Sequence, residues 1–357
     1  MMKMNKWTMA LAAAGVVSLS SVAQAQEASA GADALAASTT LSGYVSTSYT
    51  LADNSSTALG KTNAANRDQF KLDVVSLTLS SAQGAGEYAT GYTVGMWVGP
   101  DDQDTDQELE LTQANIDLRL PVGNGLDLKV GYMGTVVGYE TYEYDQNAFF
   151  NRGIGFAVEP THHTGVLASY QVSDALAVSV GVVNDGGNGE NSNNGDGDLT
   201  WLASASYTLG DGTGALAGTE IYGATIQDLS LTAQDAADYW YLKVSLPVPV
   251  EGLSLDFAAD WVDSDNGDDD EIYQIYAGYA LSDKATLNVR YEFGDADNLD
   301  MNGAAAGTTT GADIESLAVG LTYSLWDNVT SRVEYQTTSA NGLDDDDTVA
   351  LNLVYSF

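Results

Sequence analysis

The chain has 357 residues, with 12 Lys and Arg against 50 Asp and Glu, and no cysteine. A net charge of −38 excludes nucleic-acid binding as a primary role, because that needs a basic face. The missing cysteines exclude a disulfide framework, and 37 glycines with 20 tyrosines and only 5 prolines are unlike a disordered chain.

The first element is an export signal. Lys3 and Lys6 form a positive start, Trp7 to about Leu19 an apolar stretch, and Ala23-Gln24-Ala25 a small-residue cleavage site. The apolar stretch is too short to span a membrane, so residues 1–25 read as a secretory signal peptide cleaved after Ala25. No cysteine follows it, which argues against a lipoprotein. Removing Lys3 and Lys6 leaves ten basic residues against fifty acidic ones. Residues 26–40 read as a periplasmic linker. No later apolar run approaches the roughly 18 residues of a membrane helix.

From residue 41 to 357 one pattern repeats: segments of about ten residues alternate apolar with polar or small side chains, separated by turn residues. The segments are 41–51, 70–80, 88–99, 109–120, 126–137, 162–171, 176–184, 199–209, 220–231, 239–246, 253–263, 271–281, 285–293, 314–325, 329–338 and 348–357. Alternation is blurred in 88–99 and 220–231. Phase breaks near Val74-Val75 and Thr112-Ala114 suggest β-bulges. About sixteen strands, an even number, fit an all-β fold: an antiparallel transmembrane β-barrel. Short connections (121–125, 173–175, 247–252, 282–284, 327–328) fall on the side of the N-terminus, and the longer ones (52–69, 138–161, 185–198, 294–313, 339–347) mostly on the other. Such asymmetry is typical of outer-membrane barrels, with short periplasmic turns and longer external loops. A soluble all-β domain or β-helix is the competing architecture, and has no reason to keep it.

The alternation also assigns faces. Leu287, Val289, Tyr291 and Phe293 share one face, and Asn288, Arg290 and Glu292 the other. Val333 and Tyr335 oppose Arg332 and Glu334; Leu255, Phe257 and Trp261 oppose Asp256 and Asp260. In lipid the apolar face points outward, the polar face lines a wet lumen, and the sheet must close because an open edge is not tolerated. Sixteen strands close around an aqueous channel.

The whole mature sequence resembles the OmpL-like β-barrel porins of Gram-negative outer membranes. Three stretches carry the resemblance: "LSGYVSTSYT" at 41–50, "QNAFFNRGIGFAVEPTHHTGVLASYQVSDALAVSVGVVND" at 146–185 with His163-Thr164-Gly165, and the terminal "LNLVYSF". The resemblance implies outer-membrane localisation and passive diffusion of small hydrophilic solutes. It also implies that Tyr355 and Phe357 form an assembly signal read by the barrel-assembly machinery. The strong acidity departs from the family and points to cation preference. Lipopolysaccharide and a homotrimer are the other expected partners.

Lys71, Arg119, Lys129, Lys243, Arg290 and Arg332 fall on the polar parity of strands, hence in the lumen, since Lys or Arg at the lipid midplane costs roughly 2–4 kcal/mol. The connection 138–161 is the third external loop. If it folds inward, its Glu140, Glu143, Asp145 and Glu159 face Arg290, Arg332 and Lys243 across the pore, with Tyr139, Tyr142, Tyr144, Phe149 and Phe150 packing it on the wall. The competing expectation is that the loop lies outside and the bases pair with Glu292 and Glu334.

No catalytic motif is present. His162 and His163 are adjacent, so a regular strand points them to opposite faces and prevents shared metal ligation. They read as the end of a long loop, and the chain reads as a non-enzyme. No cofactor is expected, except that clustered acids at 194–198, 263–271 and 342–348 offer weak calcium candidates in Asp263, Asp265, Asp268 and Asp269, without the spacing of a helix-loop-helix calcium site. A plugged structural or adhesive barrel exposing these acidic loops is the functional alternative to an open porin.

Overall fold

The computed structural model describes residues 38–52, 68–99, 109–184, 199–232, 235–265, 269–296, 313–340 and 345–357. The expected signal peptide, most of the linker, Asp268, and most of the loops at 52–69, 185–198, 294–313 and 339–347 lie outside these residues.

The strands are β1 (Thr39–Ala52), β2 (Gln69–Ser81), β3 (Thr90–Val98), β4 (Leu109–Leu120), β5 (Leu126–Gly134), β6 (His162–Ser173), β7 (Leu176–Asn184) and β8 (Leu199–Thr208). They continue as β9 (Glu220–Thr232), β10 (Asp235–Leu246), β11 (Leu253–Ser264), β12 (Asp270–Ser282), β13 (Ala285–Ala296), β14 (Asp313–Trp326), β15 (Val329–Ala340) and β16 (Asp346–Ser356). Each pairs antiparallel with its neighbours in sequence, and β16 closes on β1 from Tyr44↔Ser356 to Ala52↔Thr348. Phe357 continues the seam, exchanging both backbone hydrogen bonds with Gly43 at 2.9 and 3.0 Å. No ladder edge faces lipid, so the backbone is satisfied all round.

Side chains follow the period of two. Leu317, Val319, Leu321 and Tyr323 stand exposed on the outside of β14, as do Val349, Leu351, Leu353 and Tyr355 on β16. Arg290, Glu292, Arg332, Glu334, Gln336 and Asn352 are buried inside. Apolar residues therefore face outward, the inverse of a soluble barrel and the arrangement lipid requires.

The two expected bulges occur. Asp73 is passed over where Ser46 and Thr47 pair with Val74 and Leu72, and Thr112 where Gly95 and Met96 pair with Gln113 and Leu111. The Asp73 carboxylate fills its bulge, accepting from Ser46 at 2.7 Å and Ser48 at 2.5 Å.

Strand ends differ from expectation by up to four residues, and two of the differences shape the lumen and its rims. β10 begins at Asp235 rather than 239, leaving residues 233–234 between β9 and β10 at the end that carries the long loops. Short connections are thus not confined to one end, and β8–β9 at the other end has an eleven-residue connection with a 3₁₀ segment, Asp211–Leu216. β5 stops at Gly134 rather than 137, because Val136 and Val137 turn inward and bury against Leu202, Ile226 and Tyr241 in an inner apolar cluster. Within the following connection, Ile154–Val158 forms a short helix, α1.

That inner cluster explains the blurred strand 220–231. In β9, Ala224, Ile226 and Leu229 point into the barrel, and Leu229 does so on the opposite parity because the register slips between its partner Ala237 and Tyr239, the partner of Ile226. A second inward group, Tyr44, Val74, Trp97 and Val354, sits on β1–β3 and β16 and explains the apolar Val354 at an inward position of the last strand.

Candidate constriction site

The connection from Thr135 to Thr161 folds into the lumen and touches opposite walls. On one side Glu143 accepts from Tyr44 Oη at 2.7 Å, Trp97 Nε1 at 2.9 Å and Ser76 Oγ at 3.3 Å. Tyr142 stacks on Trp97 with centroids 4.4 Å apart and donates to Glu110 at 2.6 Å. Tyr144 lies on the same indole at 5.4 Å. Aromatic pairs of this kind contribute about 0.5–1.5 kcal/mol each beyond their burial.

Across the lumen, Tyr139 stacks on Tyr276 at 3.6 Å and donates to Asp256 at 2.9 Å. Phe149, 1% exposed, packs beneath the Arg290 guanidinium at 4.9 Å. It rests on Gly320, where a Cβ would stand 3.1 Å from the ring, so glycine makes the seat. Glu334 on β15 accepts from the Phe150 and Asn151 backbone N–H groups at 2.6 and 2.9 Å. The Asn147 amide ties the turn together through the Thr141 and Glu143 carbonyls at 2.8 and 2.9 Å.

Arg290 is the centre of this contact. It is fully buried on β13 and pairs with Glu140 of the loop and with Glu292 of its own strand at 3.0 Å. It also donates to Asn151 O at 3.0 Å and Gln336 Oε1 at 3.1 Å. Glu140 in turn accepts from Gly153 N at 2.6 Å, and Glu292 from Gly155 N at 3.1 Å. Charge-assisted bonds of this kind are roughly twice as strong as neutral ones.

The structure brings only part of the expected set together. Glu140 touches Arg290 directly, so acid and base are in contact rather than facing one another across a gap. Lys243 lies over the Tyr139 ring at 4.6 Å. Arg332 bonds Asn352 at 2.8 Å and lies 3.5 Å from the Asp145 carbonyl, while the Asp145 side chain is exposed. Near the turns, Arg119 forks onto Asp127 at 2.5 and 2.7 Å, and Lys129 pairs with Asp117 at 3.0 Å. Lys71 is half-buried on β2. Pairing with Glu292 was the competing expectation for Arg290; it occurs together with the inward loop.

Glu159 meets no base among the described residues. It is 8% exposed and hydrogen-bonds the Asp260 carboxyl of β11, beneath Gly138, whose φ of 103° suits glycine. Burial, with Asp260, Glu140 and Glu292 nearby, holds its carboxyl well above the usual carboxylate range.

Sequence reading missed Tyr44, Ser76 and Trp97 as anchors of Glu143, and Arg152, whose guanidinium lies between Tyr144 and Phe156 at 4.7 and 5.1 Å. The blurring of 88–99, with Trp97 on the inward parity, was the available signal. His162 stacks on Tyr132 at 5.1 Å and His163 approaches Thr135 Oγ1 at 3.1 Å. Asp269 accepts from Ser264 N at 3.1 Å, and Asp265 donates through its backbone to Ala236 O at 3.0 Å. Among the described residues no group of three His, Cys, Asp or Glu is placed to hold a metal ion.

A closed sixteen-strand barrel with an apolar exterior and a loop folded across its lumen defines an outer-membrane porin channel. The chain belongs to the family described as Putative beta-barrel porin-2, OmpL-like, whose model matches residues 38–354. Among solved structures the fold is similar to the trimer form of OmpT from Vibrio cholerae, with TM-score 0.63 at 12% identity over 89% of this chain and 99% of that one. It is similar also to an anion-selective porin from Comamonas acidovorans (0.60, 13%, 90% and 99%) and to the outer membrane channel DcaP of Acinetobacter baumannii (0.59, 14%, 89% and 97%). Among curated proteins, none matches the sequence.

Proposed function

We propose that this porin is a cation-preferring diffusion channel for small hydrophilic solutes, narrowed by the loop 135–161. The observation that carries the reading is the charge balance at the narrowing. Arg290 is neutralised by Glu140 and Glu292, while Glu143, Glu159, Asp260 and Glu334 are held by neutral donors or by each other. Even with Glu159 protonated, the acids Glu140, Glu143, Asp256, Asp260, Glu292 and Glu334 outnumber the bases Arg152, Lys243, Arg290 and Arg332 around the loop, and a low-dielectric wall focuses their field. In liposome-swelling measurements, arginine hydrochloride is expected to enter faster than sodium glutamate at equal osmolarity. Faster glutamate entry would contradict the reading.

The plugged barrel has one observation in its favour, the loop's contact with both walls. It predicts no swelling with either solute. A homotrimer accords with the trimeric form of one structural neighbour.

Tyr355 and Phe357 are proposed as the assembly signal. Deleting Phe357 removes its two backbone bonds to Gly43 at the closing seam and is expected to reduce the heat-modifiable barrel recovered from the membrane. Undiminished recovery would contradict that role.

A further inference from the structure

Between the inward loop and strands β4 and β6 lies a cavity of about 200 Å³, lined by residues that include Thr112, Gln113, Glu140, Tyr142, Glu159 and His162. Its polar groups are not equally committed. Glu140 is taken by Arg290 and Gly153, and Tyr142 by Trp97 and Glu110. Two buried atoms are left over. Glu159 Oε1 and the hydroxyl of Thr112, a residue 3% exposed, have no hydrogen-bond partner among the described residues. Leaving such groups unmade inside a protein costs free energy, so each invites an explanation.

The two leftover atoms suit one kind of ligand. Both accept hydrogen bonds, and the hydrogen-bonded Glu159–Asp260 pair carries net negative charge when it shares a single proton. Neither carboxyl forms an ion pair among the described residues, whereas Glu140 and Glu292 both pair with Arg290. Thr112 owes its inward hydroxyl to the β4 bulge, and Glu159 owes its place to the close approach allowed by Gly138. The bulge and the loop end therefore both contribute to the lining of one cavity beside the inward loop.

We propose that this cavity is a binding site for a small organic ammonium ion, whose N–H groups donate to Glu159 Oε1 and Thr112 Oγ1. This rests on the cation-preferring reading above and deepens it: the pore holds amine-bearing solutes in transit, rather than merely enriching cations at its mouth. A tetraalkylated ammonium has the charge but no N–H donor and is held less well.

The test is block of single-channel potassium current by putrescine added to one side of a planar bilayer, with tetramethylammonium for comparison. Wild-type protein is expected to show concentration-dependent block by putrescine, and much weaker block by tetramethylammonium. Glu159→Gln is expected to raise the half-blocking concentration by about tenfold or more, equivalent to about 1.4 kcal/mol. Thr112→Val should raise it by a smaller factor, and Asp174→Asn, in a turn at the far end, should leave it unchanged. Heat modifiability reports insertion; if Glu159→Gln does not insert, Thr112→Val decides. Equal block in wild type and both variants overturns the site, as does equal block by tetramethylammonium. A wild-type channel that selects potassium but is not blocked overturns the site while leaving cation preference standing. An anion-selective wild type overturns both.

Discussion

Deleting residues 141–150 is expected to raise single-channel conductance several-fold in a barrel that still assembles. The deletion removes Glu143 with its three wall donors, the stacking of Tyr142 and Tyr144 on Trp97, and Phe149 from its seat on Gly320. What remains is the wall itself, whose ladder hydrogen bonds are independent of the loop. A sixteen-strand wall encloses an aqueous lumen wide enough to conduct freely once cleared. Planar-bilayer recording of the truncated protein measures this. An unchanged conductance in a correctly inserted barrel would mean that the segment does not narrow the pore.

Arg290→Ala is expected to have the second-largest effect, and through a different route. It leaves Glu140 and Glu292 buried without their counter-charge and strips Phe149 of the cation above it. Breaking a buried pair from one side costs about 3–5 kcal/mol. The loop–wall contact is where that cost falls, because detaching the loop rehydrates Glu140. Arg152, held in wild type between Tyr144 and Phe156, should then become a trypsin site. Limited proteolysis followed by mass analysis reads the cut after Arg152, with heat modifiability showing that the barrel persists. Protection of Arg152 equal to wild type would contradict the account of Arg290 as the loop's anchor.

The strands were legible because lipid enforces alternation. Leu287, Val289 and Phe293 against Asn288, Arg290 and Glu292 has one solution in a membrane, and the structure adopts it. The bulges at Asp73 and Thr112 were legible as phase breaks, since one extra residue shifts parity. The inward loop was legible from its aromatics. What was not legible has a common cause: period two says which residues face inward, but not what they meet there. Ile226 and Leu229 are apolar and inward because they cover a packed inner cluster, which blurs the pattern of β9. Glu140 against Arg290 is a contact between residues 150 positions apart in sequence, and no local pattern distinguishes contact from a gap. Glu159 beside Asp260 is an acid beside an acid, an arrangement that simple charge matching would have rejected.

The proposed function is that of a conducting pore whose narrowing favours cations. The zero-current potential of the wild-type channel across a potassium chloride gradient, at low salt, tests it most directly. Surface fields reach about 10 Å at 0.1 M and less at higher ionic strength, so preference should be greatest in dilute solution and fade as salt rises. The expected potential has the sign given by potassium permeating faster than chloride, and shrinks toward zero as both solutions are concentrated. A potential of the opposite sign at low salt would contradict it.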